Sequence, residues 1–257
     1  MPSILCVANQ KGGVGKTTTA TCLADAFALC GHHVLLVDID PQANATSGLG
    51  LAPVPTSPAF GTSGFLDAIV SSSWPGVSAI PAGHDLEIWA AHRTPHLFTL
   101  RDHLRSLPDH HFGVILIDCP PSLGPLTQNA LAASTAVIVP IQCEYYPLEG
   151  LVQLLAAISQ AKDHNPALKV GGILLTMVDP SADLTAEVET EVRTKLTERV
   201  FRTVIPRDVA VAEAPSHCRS VIDYAPRSSG ARGYADLALE IIDAGLLAPS
   251  DKERRHG

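Results

Sequence analysis

Residues 11–18 read Lys-Gly-Gly-Val-Gly-Lys-Thr-Thr, and this stretch decides the fold class of the chain. It follows a short apolar run, Ile4–Ala8, and opens a helix-compatible run, Lys16–Leu29. A glycine-rich turn between a strand and a helix is the context that a phosphate-binding loop requires. Glycines let the backbone curl so that several N–H groups point at phosphate oxygens, and the helix N-terminus adds a partial positive charge. The stretch therefore predicts a nucleotide-binding loop.

The side chains of this loop have distinct expected roles. Lys16 can reach the β- and γ-phosphates of a nucleotide, and the Thr17 hydroxyl can ligate Mg²⁺. The loop departs from the pattern G-x-x-x-x-G-K-[ST], because Gln10 stands where the first glycine is expected and a second lysine, Lys11, heads the loop. The residues expected to contact the nucleotide are Lys11, Gly12, Gly13, Val14, Gly15, Lys16, Thr17 and Thr18.

The length of 257 residues suits one large α/β domain or two small ones, and we place a single domain at residues 1–248, followed by a polar tail at 249–257. The hydrophobic fraction of 46% is ample for a buried core. No apolar stretch is long enough to cross a membrane, and the chain enters a strand too early for a signal peptide. The six scattered cysteines form no C-x-x-C pair, so we expect reduced, buried thiols and a cytoplasmic location.

Charge is distributed unevenly along the chain. The formal net charge of −8 argues against a generally basic nucleic-acid binder. However, residues 1–192 hold 7 basic and 17 acidic side chains, whereas residues 193–257 hold 11 and 9. The C-terminal part can therefore present a local basic face, and the alternative is a set of solvated arginines and ion pairs. The arginines concerned are Arg199, Arg202, Arg207, Arg219, Arg227 and Arg232.

Apolar runs alternate with helical segments along the chain. Predicted strands cover Ile4–Ala8, His33–Asp38, Leu86–Ala90, Gly113–Asp118, Ala136–Pro140, Gly171–Met177 and Val204–Pro206. Predicted helices cover Lys16–Leu29, Phe65–Val70, Leu97–Ser106, Leu126–Ala133, Leu148–Ala161, Leu184–Arg199 and Tyr234–Ala244. The alternation predicts an α/β fold with a single doubly wound, mostly parallel sheet flanked by helices, and ligands at the C-terminal ends of its strands. The stretch Leu51–Ser63 is rich in Pro, Ser, Thr and Gly, which predicts a mobile surface loop.

Carboxylates follow two of these predicted strands. Asp38 and Asp40 leave the end of one strand, and side chains two apart share a face, so both can face the nucleotide. The alternative is a solvated Asp-Pro turn. Val114–Asp118 has the Walker B form, four apolar residues ending in an aspartate beside the Mg²⁺ shell. A carboxylate near the γ-phosphate can orient the attacking water.

The three motifs together resemble the ParA/MinD family of deviant Walker A P-loop ATPases, most closely its chromosomal Soj/ParA branch. The similarity runs from about residue 3 to residue 245 without a large gap. Gln42–Gly50 looks like the first switch of that family. Further similar stretches are Pro140–Leu151, Ile205–Asp208, Glu213–Ser216 and Tyr224–Ala231.

The resemblance implies an ATP-dependent homodimer that hydrolyses ATP with Mg²⁺, weakly without a partner protein. Lys11 of each subunit would contact phosphates bound by the other, Lys16 would bind phosphates in its own subunit, and Asp40 would position the lytic water. Thr17 would hold Mg²⁺ together with Asp118, the latter through water. Pro206 and Asp208 would frame the adenine, although the family usually has Asn at the second of these positions. The switch residues implied are Asp38, Asn44 and Pro121.

The resemblance also implies DNA binding without sequence preference, a ParB-like partner, and a role in chromosome or plasmid partition at the nucleoid. Arg207, Arg219 and Arg227 match basic positions of the family's DNA face, whereas Arg232 falls where relatives often carry an acidic residue. An alternative is a ParA-like ATPase that positions another cargo, such as a protein organelle or a chemoreceptor array. MinD-like membrane targeting needs a C-terminal amphipathic helix, which residues 248–257 do not offer. A relationship to the nitrogenase iron protein needs cluster cysteines in another context.

Overall fold

The computed structural model describes residues 2–61, 64–91, 96–108, 111–143, 148–179, 181–196 and 200–248. Within these ranges the strands form one sheet in the order β3-β4-β2-β5-β1-β6-β7-β8, once they are numbered along the chain. Strand β3 pairs antiparallel with β4, and the other pairings are parallel. The strands are β1 (Ser3–Val7), β2 (Val34–Asp38), β3 (Val70–Ser71), β4 (Val77–Ile80), β5 (Val114–Asp118), β6 (Ala136–Gln142), β7 (Lys169–Val178) and β8 (Val200–Pro206).

Helices cover both faces of this sheet, which confirms the predicted doubly wound fold. The helices are α1 (Lys16–Leu29), α2 (Asn44–Gly48), α3 (Leu86–Ala91), α4 (Thr99–Arg105), α5 (Pro125–Ala133), α6 (Leu148–Ala161), α7 (Asp183–Lys195), α8 (Val209–Glu213), α9 (Val221–Tyr224) and α10 (Ser229–Asp243), with a 3₁₀ turn at Ala214–His217. One hydrophobic cluster lies under α4 to α7, and a second lies under α1, α9 and α10. None of the helices described here is both long and apolar enough to span a bilayer.

The order of the strands places the functional motifs at one edge. Strand β1 lies between β5 and β6, and the chain reverses its direction of travel across the sheet at β1. Ligands of open α/β sheets bind at such a reversal, beyond the carboxyl ends of the strands. Asp118 pairs in register with Val7 on one side and with Asp38 on the other. The ends of β1, β2 and β5 therefore meet where the glycine-rich loop begins.

Two predicted elements are wrong. Leu86–Ala90 is not a strand but most of helix α3, and the strand that pairs with β2 on this side is β4, Val77–Ile80. Leu86 of the helix is buried and Trp89 packs on Phe60, whereas Ile88 is 61% exposed, so its apolar residues do not alternate between two buried faces as in a central strand. Phe65–Val70 is not a helix but a series of turns that ends in β3.

Three further predictions, on one helix boundary, one loop and the burial of the thiols, need correction. Helix α10 begins at Ser229 rather than at residue 234. Gly230 lets the start of α10 lie close to α8, since a Cβ at Gly230 would lie 2.2 Å from Val211 Cγ2. The stretch predicted as a mobile loop is anchored at one end of its described part, residues 51–61, where Ser57, Ala59 and Phe60 are buried, whereas Ala52, Pro55 and Thr56 are exposed. Cys30 and Cys218 are exposed, contrary to the expectation of six buried thiols.

Some predictions lie outside the described residues. They are the polar tail at 249–257, Arg199 with the end of the helix predicted at Leu184–Arg199, and residues 144–147 of the Pro140–Leu151 stretch. The assignment of residues 1–248 to a single domain stays a prediction.

Candidate nucleotide-binding site

The glycine-rich loop has the backbone geometry that a phosphate cradle needs. Gly13 and Gly15 have φ of 76° and 87°, a left-handed conformation that is costly for any residue with a side chain. Gly15 then caps the N-terminus of α1, which begins at Lys16. Gly12 is exposed and lies outside the left-handed region, and a Cβ built on it would lie 4.0 Å from Pro121 Cβ. The loop therefore requires glycine at residues 13 and 15 for its own shape, but not at residue 12.

Two polar side chains that the sequence analysis did not identify hold the loop in place. The Thr176 hydroxyl lies 2.9 Å from the Val14 carbonyl oxygen, to which it donates, and 3.1 Å from that of Ile141. Asn9 accepts the Lys11 N–H at 3.0 Å, and its amide donates to the Pro140 carbonyl at 2.7 Å. Asn9 stands directly before the loop and was visible as a polar residue there. Nothing in the sequence pointed to Thr176.

Lys16 is almost fully buried, with 6% of its surface exposed. Its ammonium donates to the carbonyl oxygen of Lys11 at 2.9 Å and therefore lies within the curl of the loop. Burial lowers the pKa of Lys16, while the carboxylates of Asp118 and Asp40 act in the opposite direction. Lys16, Asp40 and Asp118 are thus close enough to influence one another, as the sequence analysis expected of groups around a nucleotide.

Asp118 is a fully buried carboxylate at the end of β5. It has no exposed surface, and neither carboxylate oxygen has a hydrogen-bond partner among the described residues. Burial, followed by the charge of Asp38, raises its pKa well above the usual range, and the nearby Thr17 hydroxyl acts in the opposite direction. A buried carboxylate in such surroundings is unfavourable unless a cation joins it.

The residues around Asp118 fit a magnesium ion. Mg²⁺ prefers oxygen ligands and is usually held by one or two carboxylates together with water and phosphate oxygens. The carboxylate of Asp118 and the hydroxyl of Thr17 provide such oxygens at the start of α1. In the part of the chain that the structure describes, no group of three or more His, Cys, Asp or Glu side chains forms a metal site by itself. The ion would therefore depend on phosphate oxygens for much of its coordination.

Asp38 and Asp40, which the sequence predicts to face the nucleotide, have different hydrogen-bond partners. Asp38 accepts hydrogen bonds from the Asp40 N–H at 3.1 Å and from the N–H and hydroxyl of Thr46 at 2.8 and 2.7 Å. Burial raises its pKa to about 6, against the effect of these bonds. Asp38 therefore fixes α2 to the sheet. One oxygen of Asp40 accepts the Gln42 N–H at 3.0 Å. Its charge, together with that of Asp118, opposes the lowering of the Lys16 pKa by burial.

The remaining predicted switch residues border the loop. Asn44 is the exposed first residue of α2, and Pro121 is exposed beside Gly12. Thr46, which no sequence pattern singled out, completes the attachment of α2 by accepting the Ala82 N–H at 2.9 Å. The segment that follows Asp40 is thus connected to both β2 and the end of β4.

A cleft of about 420 Å³ opens beside the loop, where a base would lie next to the phosphates. Its walls include Gly15, Thr18, Met177, Pro206 and Asp208. Pro206 and Asp208, which are predicted to frame the adenine, therefore share this cleft with two residues of the loop. The size and largely apolar lining of the cleft suit a purine ring.

The carboxylate of Asp208 has structural partners. It accepts the Ala210 N–H at 2.9 Å as the cap of α8, the Ser229 hydroxyl at 2.9 Å and the Gly230 N–H at 2.8 Å. The bond from Gly230 contributes most to holding its pKa below the usual range. Asp208 therefore joins α8 to α10.

The four predicted DNA-binding arginines are all exposed, but they do not share one environment. Arg207 follows β8 at the edge of the base cleft. Arg219 pairs with Asp223 and lines a second cleft of about 310 Å³ together with Thr17 and Asn44. Arg227 lies between α9 and α10, and Arg232 lies on α10. Of the remaining arginines in this region, Arg202 pairs with Glu240 at 3.6 Å.

Comparisons with known proteins agree with this geometry. A family model described as an AAA domain matches residues 2–170. The chain is 42% identical over 249 residues to the chromosome partitioning protein ParA of Caulobacter vibrioides, covering 93% of each chain. It is 43% identical over 254 residues to the sporulation initiation inhibitor protein Soj of Bacillus subtilis, covering 95% of this chain and 100% of that one.

Solved structures show the same architecture. The chain matches a Mycobacterium smegmatis protein described as cobyrinic acid a,c-diamide synthase with bound ADP and magnesium, at a TM-score of 0.81 and 35% identity. The match covers 97% of this chain and 99% of that one.

Proposed function

Because the chain belongs to the ParA/Soj family of chromosome-partitioning ATPases, we propose that it is an ATP-driven dimer switch that binds double-stranded DNA and acts with a ParB-like partner. The observation that supports this best is the buried, unpaired carboxylate of Asp118 beside Thr17 and Lys16, at the mouth of a glycine loop. This arrangement is suited to magnesium and a polyphosphate. The expected location is the cytoplasm, on the nucleoid.

Each predicted site residue then has a defined task. The backbone N–H groups of residues 12–17 and the ammonium of Lys16 bind the phosphates, and the cleft beside Pro206 accepts the adenine. Thr17 and Asp118 would hold Mg²⁺, the latter through water, and the bound ion would neutralise charge on the β- and γ-phosphates. Asp40 orients the water that attacks the γ-phosphate. Lys11, exposed at the head of the loop, reaches the nucleotide of a second subunit.

Replacing Gly12 with Val is expected to give a protein that binds ATP but stays monomeric. Within one subunit the valine side chain meets little, since a Cβ at this position lies 4.0 Å from its nearest neighbour, and the backbone there is outside the left-handed region. A branched side chain would instead obstruct the approach of the partner's loop. Light scattering with ATP and Mg²⁺ measures the dimer, and binding of a fluorescent ATP analogue shows that the loop is intact. Gly12→Ala serves as a graded control, and an undiminished dimer of Gly12→Val would contradict this geometry.

The DNA part of the proposal predicts ATP-dependent binding that ignores sequence and weakens steeply with salt. The chain carries a net charge of −8, so binding must come from local arginines that two subunits present together. With two or three phosphate contacts per subunit, the log–log salt slope of a dimer is expected to be on the order of −4 to −5. Fluorescence anisotropy on random duplex DNA, with and without ATP, gives this slope.

Charge-reversal variants locate the DNA contact. Arg227→Glu, or Arg207 and Arg219 changed together, should abolish DNA binding and leave the ATP dimer intact. Arg105→Glu is a matched control, because Arg105 is an exposed arginine on α4, on the opposite face of the sheet from α9 and α10. Tight binding by the nucleotide-free monomer, or equal loss in the control, would refute the proposed face.

A further inference from the structure

The segment that carries Arg219 is attached to α2 by side chains that the proposed mechanism does not use. The indole N–H of Trp74 donates to the Cys218 carbonyl oxygen at 2.7 Å. The Cys218 thiol donates to the Ser47 carbonyl oxygen, near the end of α2, at 3.6 Å. Trp74 is 8% exposed, so its hydrogen bond is largely shielded from water. These contacts join the loop before β4, helix α2 and the residue directly before Arg219.

Two strained residues lie at the ends of this connection. Ala43 and Cys218 have φ of 55° and 52°, and such a left-handed conformation is unfavourable for residues other than glycine. Ala43 joins the turn after Asp40 to α2, and Cys218 joins the 3₁₀ turn to Arg219. A residue keeps such a conformation when its surroundings hold it there, and this strain is typical of segments that change conformation.

Helix α2 is also connected to the nucleotide site. Asp38 accepts two hydrogen bonds from Thr46 of α2, and it lies in register with Asp118 on the neighbouring strand. On the far side of Arg219, the Ser220 hydroxyl donates to the buried carboxylate of Asp25 on α1. The Arg219 segment is therefore held between the helix that starts at the phosphate loop and the helix that follows Asp40.

We propose that Trp74 and Cys218 are positioning residues that hold Arg219 against α2, so that the conformation of α2 determines how Arg219 is presented to DNA. This inference rests on the proposed DNA-binding function and adds to it a route by which ATP controls the DNA contact. Helix α2 follows Asp40 in the chain and is bound to Asp38 through Thr46, so in this proposal a change at the γ-phosphate reaches α2 through these residues. Cys218 contacts α2 through Ser47, and Trp74 holds Cys218 from the loop before β4.

The decisive variant is Trp74→Phe, which keeps an aromatic ring and removes the N–H donor. One lost hydrogen bond per subunit corresponds to roughly a fivefold loss in affinity, so DNA binding by the ATP dimer should weaken about five- to twentyfive-fold. ATP-dependent dimerisation and hydrolysis without DNA should not change. The control is Trp89→Phe, the same substitution at the other tryptophan of the chain, which packs on Phe60 with ring centroids 5.4 Å apart. Equal DNA affinity of the two variants would overturn the proposal.

A second variant, which is expected to keep its stability, tests the proposal in case Trp74→Phe weakens DNA binding only because it folds poorly. Cys218→Gly removes the thiol contact to Ser47 and places at this position the residue that tolerates its backbone conformation best, so stability should not fall. It should weaken ATP-dependent DNA binding as Trp74→Phe does. Thermal unfolding checks its stability, and a stable Cys218→Gly protein with unchanged DNA affinity would also contradict the inference.

A fluorescence measurement separates this inference from the proposed function. In the Trp89→Phe protein Trp74 is the sole tryptophan, and addition of ATP with Mg²⁺ should shift its emission and its quenching by iodide. If the wild-type protein fails to bind DNA with ATP, the DNA-binding function is refuted. The Trp74 fluorescence then tests only whether ATP binding changes the surroundings of Trp74. An emission unchanged by ATP would show that α2 does not act on Trp74.

Discussion

Replacing Asp40 with Ala is expected to slow ATP hydrolysis by about 100-fold or more and to leave ATP binding and dimerisation intact. Asp40 is 5% exposed, and the Gln42 N–H fixes the orientation of its carboxylate at 3.0 Å. A carboxylate held in this way can orient a water molecule beside the γ-phosphate, whereas it makes no bond to the glycine loop that would be needed to bind the nucleotide. Phosphate release and the affinity for a fluorescent ATP analogue are the two measurements.

The contrasting variant is Lys16→Ala, which should be impaired at a step that precedes hydrolysis. Lys16 lies within the curl of the loop, so its loss should impair nucleotide binding itself or the dimerisation that follows. An Asp40→Ala protein that loses ATP binding as fully as Lys16→Ala would show that Asp40 supports the loop rather than the chemistry.

Replacing Asp118 with Asn is expected to stabilise the nucleotide-free protein and to impair it as an ATPase. The carboxylate is buried without a hydrogen-bond partner among the described residues and lies in register with Asp38. A neutral amide therefore removes both the cost of burying a negative charge and the repulsion between the two carboxylates. We expect a gain of about 1–2 kcal/mol in the free energy of unfolding, or a melting temperature higher by about 3 to 6 °C. Magnesium-dependent hydrolysis should fall about 10- to 100-fold, as for other residues that hold a metal through water.

The matched control is Asp38→Asn, at the same edge of the sheet. Asp38 accepts hydrogen bonds at both carboxylate oxygens, so either orientation of an amide there places its NH2 group against a donor, the Asp40 N–H or the N–H of Thr46, and should lower the melting temperature. The stability gained by Asp118→Asn should decrease as the pH falls. Burial raises the pKa of Asp118, so its carboxyl group becomes protonated and the substitution no longer removes a buried charge. A melting temperature lowered by Asp118→Asn would mean that the carboxylate has a stabilising partner.

The predictions from the sequence were incomplete wherever the role of a residue depends on a partner that the sequence pattern does not reveal. Asp38 and Asp40 look equivalent along the chain, but Thr46 engages the carboxylate of Asp38. Asp208 was expected at the adenine, and it also binds Gly230, 22 residues away. The segment predicted as a strand at Leu86–Ala90 is a helix, and Val77–Ile80 pairs with β2 instead. Pairing in a sheet depends on contacts between segments distant along the chain, which a local apolar pattern does not show.

The sequence by itself determined the glycine loop, the bounds of α1 and α6, the central strands and the carboxylates at their ends. These features are local, since the order of glycines, lysine and apolar residues dictates turn, helix and buried strand over a few residues. Only the tertiary structure decided which carboxylate is left unpaired and how the arginines are held. The Thr176 hydroxyl reaches Val14 across 162 residues, and Trp74 reaches Cys218 across 144. Such contacts depend on how the helices pack across the sheet, because packing brings together donors and acceptors whose spacing along the chain carries no pattern.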